Sequence, residues 1–175
     1  MKVKRIINYL LIVVLSLMFY VYNVPIDIDK EFEALEISMT DPDFLQTCKV
    51  YVQGKYHKNL FGSDSFHGKI FTSNEPLTQS RFLGGYIIDT ELTLKYLPNE
   101  ENLHVIYYYG TAEVLGHFDD ILLVIDEDKF GPLPALGERE HGDYVVASVS
   151  SREEALERIY NSISYKRWTG TYISD

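Results

Sequence analysis

The hydrophobic and polar positions divide this chain into an N-terminal apolar run and a longer, alternating segment. No charged residue occurs between Ile6 and Tyr22, and three cations lie among the five residues before that run. About 20 apolar residues in a helix span a bilayer core, and cations mark the cytoplasmic side. The pattern predicts a signal anchor over residues 1–23, with a transmembrane helix at about 6–22. The rest of the chain is then expected outside the cell membrane.

A cleaved signal peptide would begin with the same cations and the same apolar middle. The sequence after the run, FYVYNVPIDID, lacks the spaced small residues that a cleavage site requires. The single cysteine, Cys48, lies too far along the chain to be a lipid attachment site. The sequence therefore favours a retained single-pass anchor in the lipid bilayer. A cleaved signal, or a buried helix of a soluble protein, is the alternative.

Residues 24–43 are predicted to be a juxtamembrane connector, either a short helix or an extended stalk. They end in Thr40-Asp41-Pro42-Asp43, which favours a turn because the residue before proline avoids the α region. The extracytoplasmic domain is then expected to occupy residues 44–175.

Several segments of this domain have the pattern of β-strands. The runs KVYVQGKYHK and FHGKIFTS predict a long, bent hairpin. Farther on, apolar residues alternate with polar ones, as expected for a half-solvated antiparallel strand, and we assign to one strand face Tyr86, Ile88, Leu92, Leu94 and Tyr96. The run from Ile121 to Ile125 is apolar throughout, which predicts a central strand covered on both faces.

One helix is predicted near the C-terminus. Ser151 and Glu154 have the spacing of a capping box, and an apolar stripe follows them. Together these elements predict an α+β fold: an antiparallel β-sheet of five to seven strands with the C-terminal helix packed on one face. Residues 126–142, which are rich in glycine and proline, form the longest irregular loop.

The charge of the chain narrows its possible partners. After the apolar run the chain contains 13 Lys+Arg against 26 Asp+Glu, a charge of −13. Such a surface disfavours nucleic acid and anionic lipid, which are polyanions. It is compatible with cationic peptides, with a basic protein or an envelope component, and with divalent metal ions. Solubility alone would also explain it.

Candidate catalytic and metal-binding chemistry is sparse. His57 and His67 flank the first hairpin loop, which contains Asp64, but their spacing matches no known metal motif. Asp126 opens an acidic run that fails as a calcium loop, because oxygen ligands are missing at its fifth and twelfth positions. Cys48 has the pattern of a small buried residue. The sequence therefore predicts no catalytic, cofactor-binding or metal-binding residue.

Aromatic residues offer a different kind of surface. Tyr107-Tyr108-Tyr109 places rings on both faces of one strand, and one of those faces must be core. The other is either a tyrosine-rich recognition surface or ordinary half-buried sheet.

Two segments carry a resemblance to a known group of proteins. They are GKYHKNLFGSDSFHGKIF and GTAEVLGHFDDILLVI. The chain resembles, over about residues 46–160, uncharacterised small membrane-anchored or secreted proteins of Gram-positive-type bacteria. This resemblance implies a bacterial surface location and supports the predicted topology, and it implies no activity.

Three functions follow from these patterns as hypotheses. The first is a non-enzymatic binding module at the cell envelope, and the second is a protective or inhibitory protein directed against a cationic factor. The third is an enzyme with a site near the 126–142 loop. Hydrolase, P-loop and dinucleotide motifs are missing, which favours a non-enzyme, although many active sites consist of scattered residues.

Overall fold

The structure of the protein is a computed structural model that describes residues 2–97, 106–126 and 141–169. Its helices are α1 (Lys2–Asn23), α2 (Arg152–Asn161) and α3 (Ile163–Trp168), with a 3₁₀ turn at Pro76–Gln79. Its strands are β1 (Ile26–Ser38), β2 (Leu45–His57), β3 (Asp64–Thr72), β4 (Arg81–Phe82), β5 (Gly85–Ile88), β6 (Glu91–Leu97), β7 (Tyr107–Leu115), β8 (Asp120–Asp126) and β9 (His141–Ala147).

The strands close into a ring. Each pairs antiparallel with its neighbours in the order β6-β5-β3-β2-β1-β9-β8-β7, and β7 pairs again with β6. The short β4 is an addition beside β6. The prediction of an α+β fold with five to seven strands is therefore wrong, because the described residues form an eight-stranded closed barrel with a ninth strand attached. Pairing between distant segments, such as Ala34 with Ala147, closes the ring.

The first strand of the barrel lies where the sequence predicted a connector. Residues 26–38, within the expected 24–43 stalk, form β1 and pair with β2 from Ile26 to Ile37. With β9 they pair only from Ala34 to Ser38. The folded unit therefore begins at β1 rather than near Phe44.

The predicted strand with the cleanest alternation is in fact a hairpin. Asp89 and Thr90 both have positive φ, 48° and 70°, and form a two-residue turn between β5 and β6. Leu92 lies in the barrel core, whereas Tyr86 and Ile88 are exposed. The assumed common face is therefore split between two strands.

The barrel interior is filled by side chains from alternate strand positions. Large rings close the end near the β2–β3 and β7–β8 turns, where Phe66 and Phe118 lie 4.6 Å apart and Tyr56 contacts Phe118 edge-on. Deeper in the barrel, the Tyr96 hydroxyl donates a hydrogen bond of 2.7 Å to the carbonyl of Ile70. Burial of these rings supplies much of the apolar stabilisation of the barrel.

A second apolar cluster lies outside the barrel, beneath α2. Ala155 and Ile159 of the helix pack on outward-facing side chains of three strands, namely Leu35, Ile37, Leu122, Val124, Tyr144 and Val146. The helix begins at Ser151, whose hydroxyl accepts a hydrogen bond from the Glu154 amide. The run from Ile121 to Ile125 is thus covered on both faces, as predicted, by the barrel core and by α2.

The apolar N-terminal run forms α1. Its side chains from Ile6 to Tyr20 are described, and most are exposed large apolar groups. Across the three described ranges, no helix combines the length and the apolarity needed to traverse a membrane. This finding contradicts the predicted signal anchor, its transmembrane helix at 6–22 and the single-pass localisation.

Candidate functional site: an acidic row on the outer barrel wall

The most distinctive surface in the described part of the chain is a row of carboxylates on β1. We call Asp27, Asp29, Glu31 and Glu33 the acidic row. Successive residues of a strand point to opposite faces, so these alternate positions share the outer face of the barrel. All four residues are exposed, and the residues between them are buried or half-buried. The row therefore presents four negative charges along one line.

The neighbouring strand supplies only two cations to this row. Lys55 lies 3.6 Å from Asp27, and Lys49 lies 2.5 Å from Glu31 and 3.3 Å from Glu33. Asp29 accepts a hydrogen bond of 3.1 Å from the uncharged amide of Gln53. The row and its facing residues on β2 thus carry two more negative charges than positive ones.

These contacts are exposed and easily rearranged. The side chains of Asp27 and Glu33 are 83% and 79% exposed. The hydrogen bonds that Lys49 donates to Glu31, and then to Glu33, raise the pKa of Lys49, so this lysine stays charged at any physiological pH. Exposed ion pairs contribute little to stability, so a cationic partner can replace these lysines without a large cost.

An aromatic patch adjoins the acidic row. Tyr51, which faces Glu31 across the β1–β2 ladder, stacks on Phe71 of β3 with ring centroids 4.7 Å apart. Both rings are half-buried, and they border a shallow depression of about 450 Å³ that is completed by Lys69, Ser73 and Gln79. Stacked rings beside carboxylates suit recognition of cationic side chains, because aromatic faces attract cations.

A second carboxylate pair lies on the outer wall but is covered. Glu113 of β7 faces Glu91 of β6, and α3 lies over both. Glu113 accepts hydrogen bonds from the amides of Ile163 (2.9 Å) and Ser164 (3.3 Å), and Arg167 contacts Glu91. Burial raises the pKa of Glu113, although the two amide bonds oppose the shift. These carboxylates hold α3 in place and are not available to a partner.

The histidines of the first hairpin are close together. The rings of His57 and His67 are 5.5 Å apart, as their positions around the loop suggested. Asp64 accepts hydrogen bonds from the Tyr56 hydroxyl and from the Asn59 amide. Within the described residues no three metal-ligating side chains come together.

Cys48 is buried, as predicted. Burial raises the pKa of its thiol to about 12, and the nearby Glu36 and Glu33 add to the shift. The group is therefore a neutral thiol at physiological pH. Such a thiol is a poor nucleophile, because the thiolate is the reactive form.

Of the two alternatives for the Tyr107–Tyr109 segment of β7, an exposed tyrosine-rich face is not what the structure has. Tyr108 and Tyr109 are both buried, and Tyr107 is half-buried. The aromatic surface beside the acidic row comes from β2 and β3 instead. Of the 126–142 loop, residues 127–140 lie outside the described residues, so the enzyme hypothesis that depends on it stays a prediction.

The chain matches no family model, no curated protein and no solved structure. The resemblance to surface proteins of Gram-positive-type bacteria therefore stays a prediction as well.

Proposed function

We propose that this chain is a non-enzymatic binding module that takes a cationic protein on its acidic row. The observation that supports this most directly is the line of four exposed carboxylates with only two facing lysines. A row of fixed carboxylates raises the local concentration of cations and speeds encounter with a basic partner.

The aromatic patch extends the proposed contact. Tyr51 and Phe71 offer large apolar area beside the charges, and tyrosine is favoured at interfaces because it buries much surface with little loss of freedom. Charge then steers the encounter, and the rings supply contact area. The sequence favours a protein over nucleic acid because the chain is strongly acidic.

The test compares two variants of equal net charge. The row variant combines Asp27→Asn, Asp29→Asn, Glu31→Gln and Glu33→Gln. The control variant combines the same number of neutralising changes at exposed carboxylates elsewhere: Asp41→Asn, Asp43→Asn, Glu153→Gln and Glu157→Gln. Binding of poly-L-lysine is measured by titration calorimetry at low salt, with polyglutamate as the negative probe.

We expect the row variant to bind polylysine roughly tenfold more weakly, as the loss of one or two charge contacts would cause. The control variant should bind nearly as well as the native chain. An equal loss in both variants would mean that total charge, rather than the acidic row, attracts cations, and would count against the proposal.

A further inference from the structure

Among the residues that the structure describes, no strand lies beside one edge of β1 along more than half its length. In the described residues, β2 accompanies β1 on one edge from Ile26 to Ile37. On the other edge β9 stops at Ala147, which pairs with Ala34. Ser148 then adopts a φ of +59° and the chain turns away toward α2. In the described part of the chain, residues 26–32 are therefore left with one open edge.

The last hydrogen bond before the gap fixes which backbone groups face it. The Ser148 amide donates to the carbonyl of Glu33 at 2.9 Å, so the backbone groups of Glu33 point toward β9. In a strand this direction alternates with each residue. The amides and carbonyls of Glu31, Asp29 and Asp27 therefore point into the open edge, whereas those of the intervening residues face β2.

The same three residues carry their carboxylates on the outer face. At every second residue, therefore, an amide and a carbonyl face the open edge and a carboxylate lies on the outer face. We propose that this edge binds an extended basic segment of the partner as an added β-strand. The proposal rests on the proposed function and specifies how the acidic row would be used.

The geometry defines the chemistry of that segment. Side chains directly opposite one another on paired strands lie about 5 Å apart, so each outward position of the added strand faces Asp27, Asp29 or Glu31. Lysine or arginine suits those positions. The alternate residues of the added strand would point inward, beside the buried Ile28 and the half-buried Phe32 of β1. Apolar side chains fit there. The ligand is therefore an extended segment that alternates basic and apolar residues.

Charge disfavours a second copy of this chain as the occupant. Two β1 edges paired with each other would bring their acidic rows together, and like charges opposite one another destabilise a sheet. Charged side chains also protect exposed edges from self-pairing. A strand of opposite charge removes that obstacle.

One ion pair crosses the proposed site. Lys30 reaches from β1 to Asp119 in the β7–β8 turn, with 2.6 Å between the charged atoms. This contact holds the pKa of the Asp119 carboxyl below its usual value. Because the Asp119 side chain is 74% exposed, the pair is weak enough to open when a strand is added at this edge.

The first experiment uses a fluorescent peptide, Lys-Val-Lys-Val-Lys-Val-Lys, and the full chain. Its matched control has the same sequence with alternate backbone nitrogens methylated, which keeps the charge and removes strand pairing. We expect the methylated peptide to bind at least roughly tenfold more weakly, since several backbone hydrogen bonds are lost. Amide exchange at Asp27, Asp29 and Glu31 should slow when the unmethylated peptide is bound.

The second experiment changes the edge itself. Asp29→Pro removes an amide that faces the gap and breaks no hydrogen bond to β2, and Asp29→Ala is the control for loss of charge. We expect the proline variant to bind the peptide roughly tenfold more weakly than the alanine variant. Thermal melting checks the fold of both. If the proline variant does not fold, the methylated peptide still decides the question.

The results separate this proposal from the proposed function. Equal binding of both peptides, with unchanged amide exchange, would overturn the added strand and leave cation binding by the acidic row intact. Failure of polylysine and of both peptides to bind would overturn both proposals. Protection of the same amides in the chain alone, rising with its concentration, would show that a second copy occupies the edge and would also overturn the proposal.

Discussion

Both halves of β1 pair with β2. They differ in what lies along the other edge of the strand and in what covers its outward side chains. From Ala34 to Ile37 the strand pairs on both edges, and its outward residues Leu35 and Ile37 are buried beneath α2. From Ile26 to Glu33 it pairs along one edge in the described structure, and its outward residues are the exposed acidic row.

The difference shows how one strand carries two kinds of surface, one covered and apolar and the other exposed and charged. The outward positions change from carboxylate to aliphatic between Glu33 and Leu35, close to the point where β9 ends. The covered half anchors the strand in the barrel through apolar burial. The exposed half contributes less to stability, so its side chains are available to meet a partner.

The largest expected effect is in the covered half. Ile37→Ala removes a fully buried side chain between the barrel wall and α2, and we expect a loss of about 2–5 kcal/mol. Its control in the exposed half, Glu31→Ala, should change the free energy of unfolding by about 0.5 kcal/mol or less. Urea denaturation measures both. If both variants lost equally little free energy of unfolding, α2 would not cover the half of β1 that contains Ile37.

A smaller effect is expected where α2 meets the β1–β2 loop. The Arg152 guanidinium donates hydrogen bonds to the carbonyls of Phe44 (2.9 Å) and Ser38 (2.8 Å). Arg152→Ala leaves two part-buried carbonyls without these donors and should cost about 1–3 kcal/mol. Arg152→Lys keeps the charge but cannot donate to both carbonyls as the guanidinium does. Its melting temperature should therefore lie between those of the alanine variant and the native protein. Full stability in the alanine variant would contradict this role.

The smallest effect is a pH dependence that distinguishes covered from exposed carboxylates. Because burial raises the pKa of Glu113 above its ordinary 4.5, the folded state binds this proton more tightly than the unfolded chain. The resulting contribution to stability is fully present below about pH 4.5 and disappears as pH rises through the folded pKa. Glu113→Gln should remove this part of the pH profile.

The matched control for this experiment is Glu31→Gln, at an exposed carboxylate of similar chemistry. Chemical denaturation between pH 4 and 8 gives the difference between each variant and the native chain. A flat difference for Glu113→Gln would show that its carboxylate is not protonated more readily in the folded state.

Local patterns were enough to predict some elements. The apolar run from Ile121 to Ile125 has no polar position, so any sheet must cover both its faces, and it does. Ser151 and Glu154 identify the start of α2 because capping depends on neighbouring residues alone.

Other features depend on information that is not local. Asp89-Thr90 lacks the glycine that normally marks a two-residue turn, so β5 and β6 were interpreted as one strand. The pattern IDIDKEFE alternates with period two, as strands do, but its position beside the predicted anchor led to a connector assignment. Ring closure was missed because the pairing of β1 with β9 joins distant segments.

The candidate site was only partly predictable. The net charge indicates cations as possible partners, and this stays a prediction; the acidic row exists as a line only because β1 is a strand. The open edge depends on where β9 stops. A serine with positive φ, such as Ser148, is uncommon and gives no signal in the sequence.

The pairing of β1 with β9 also has a consequence for synthesis on the ribosome. Ala34 and Ala147 lie more than a hundred residues apart in the chain, so β1 emerges long before its second neighbour exists. Contacts between such distant segments slow folding. Throughout that interval the edge of β1 that later pairs with β9 is unpaired along its whole length in the nascent chain. The carboxylates of its first half then repel other nascent copies, and so help to keep the half-made barrel from aggregating.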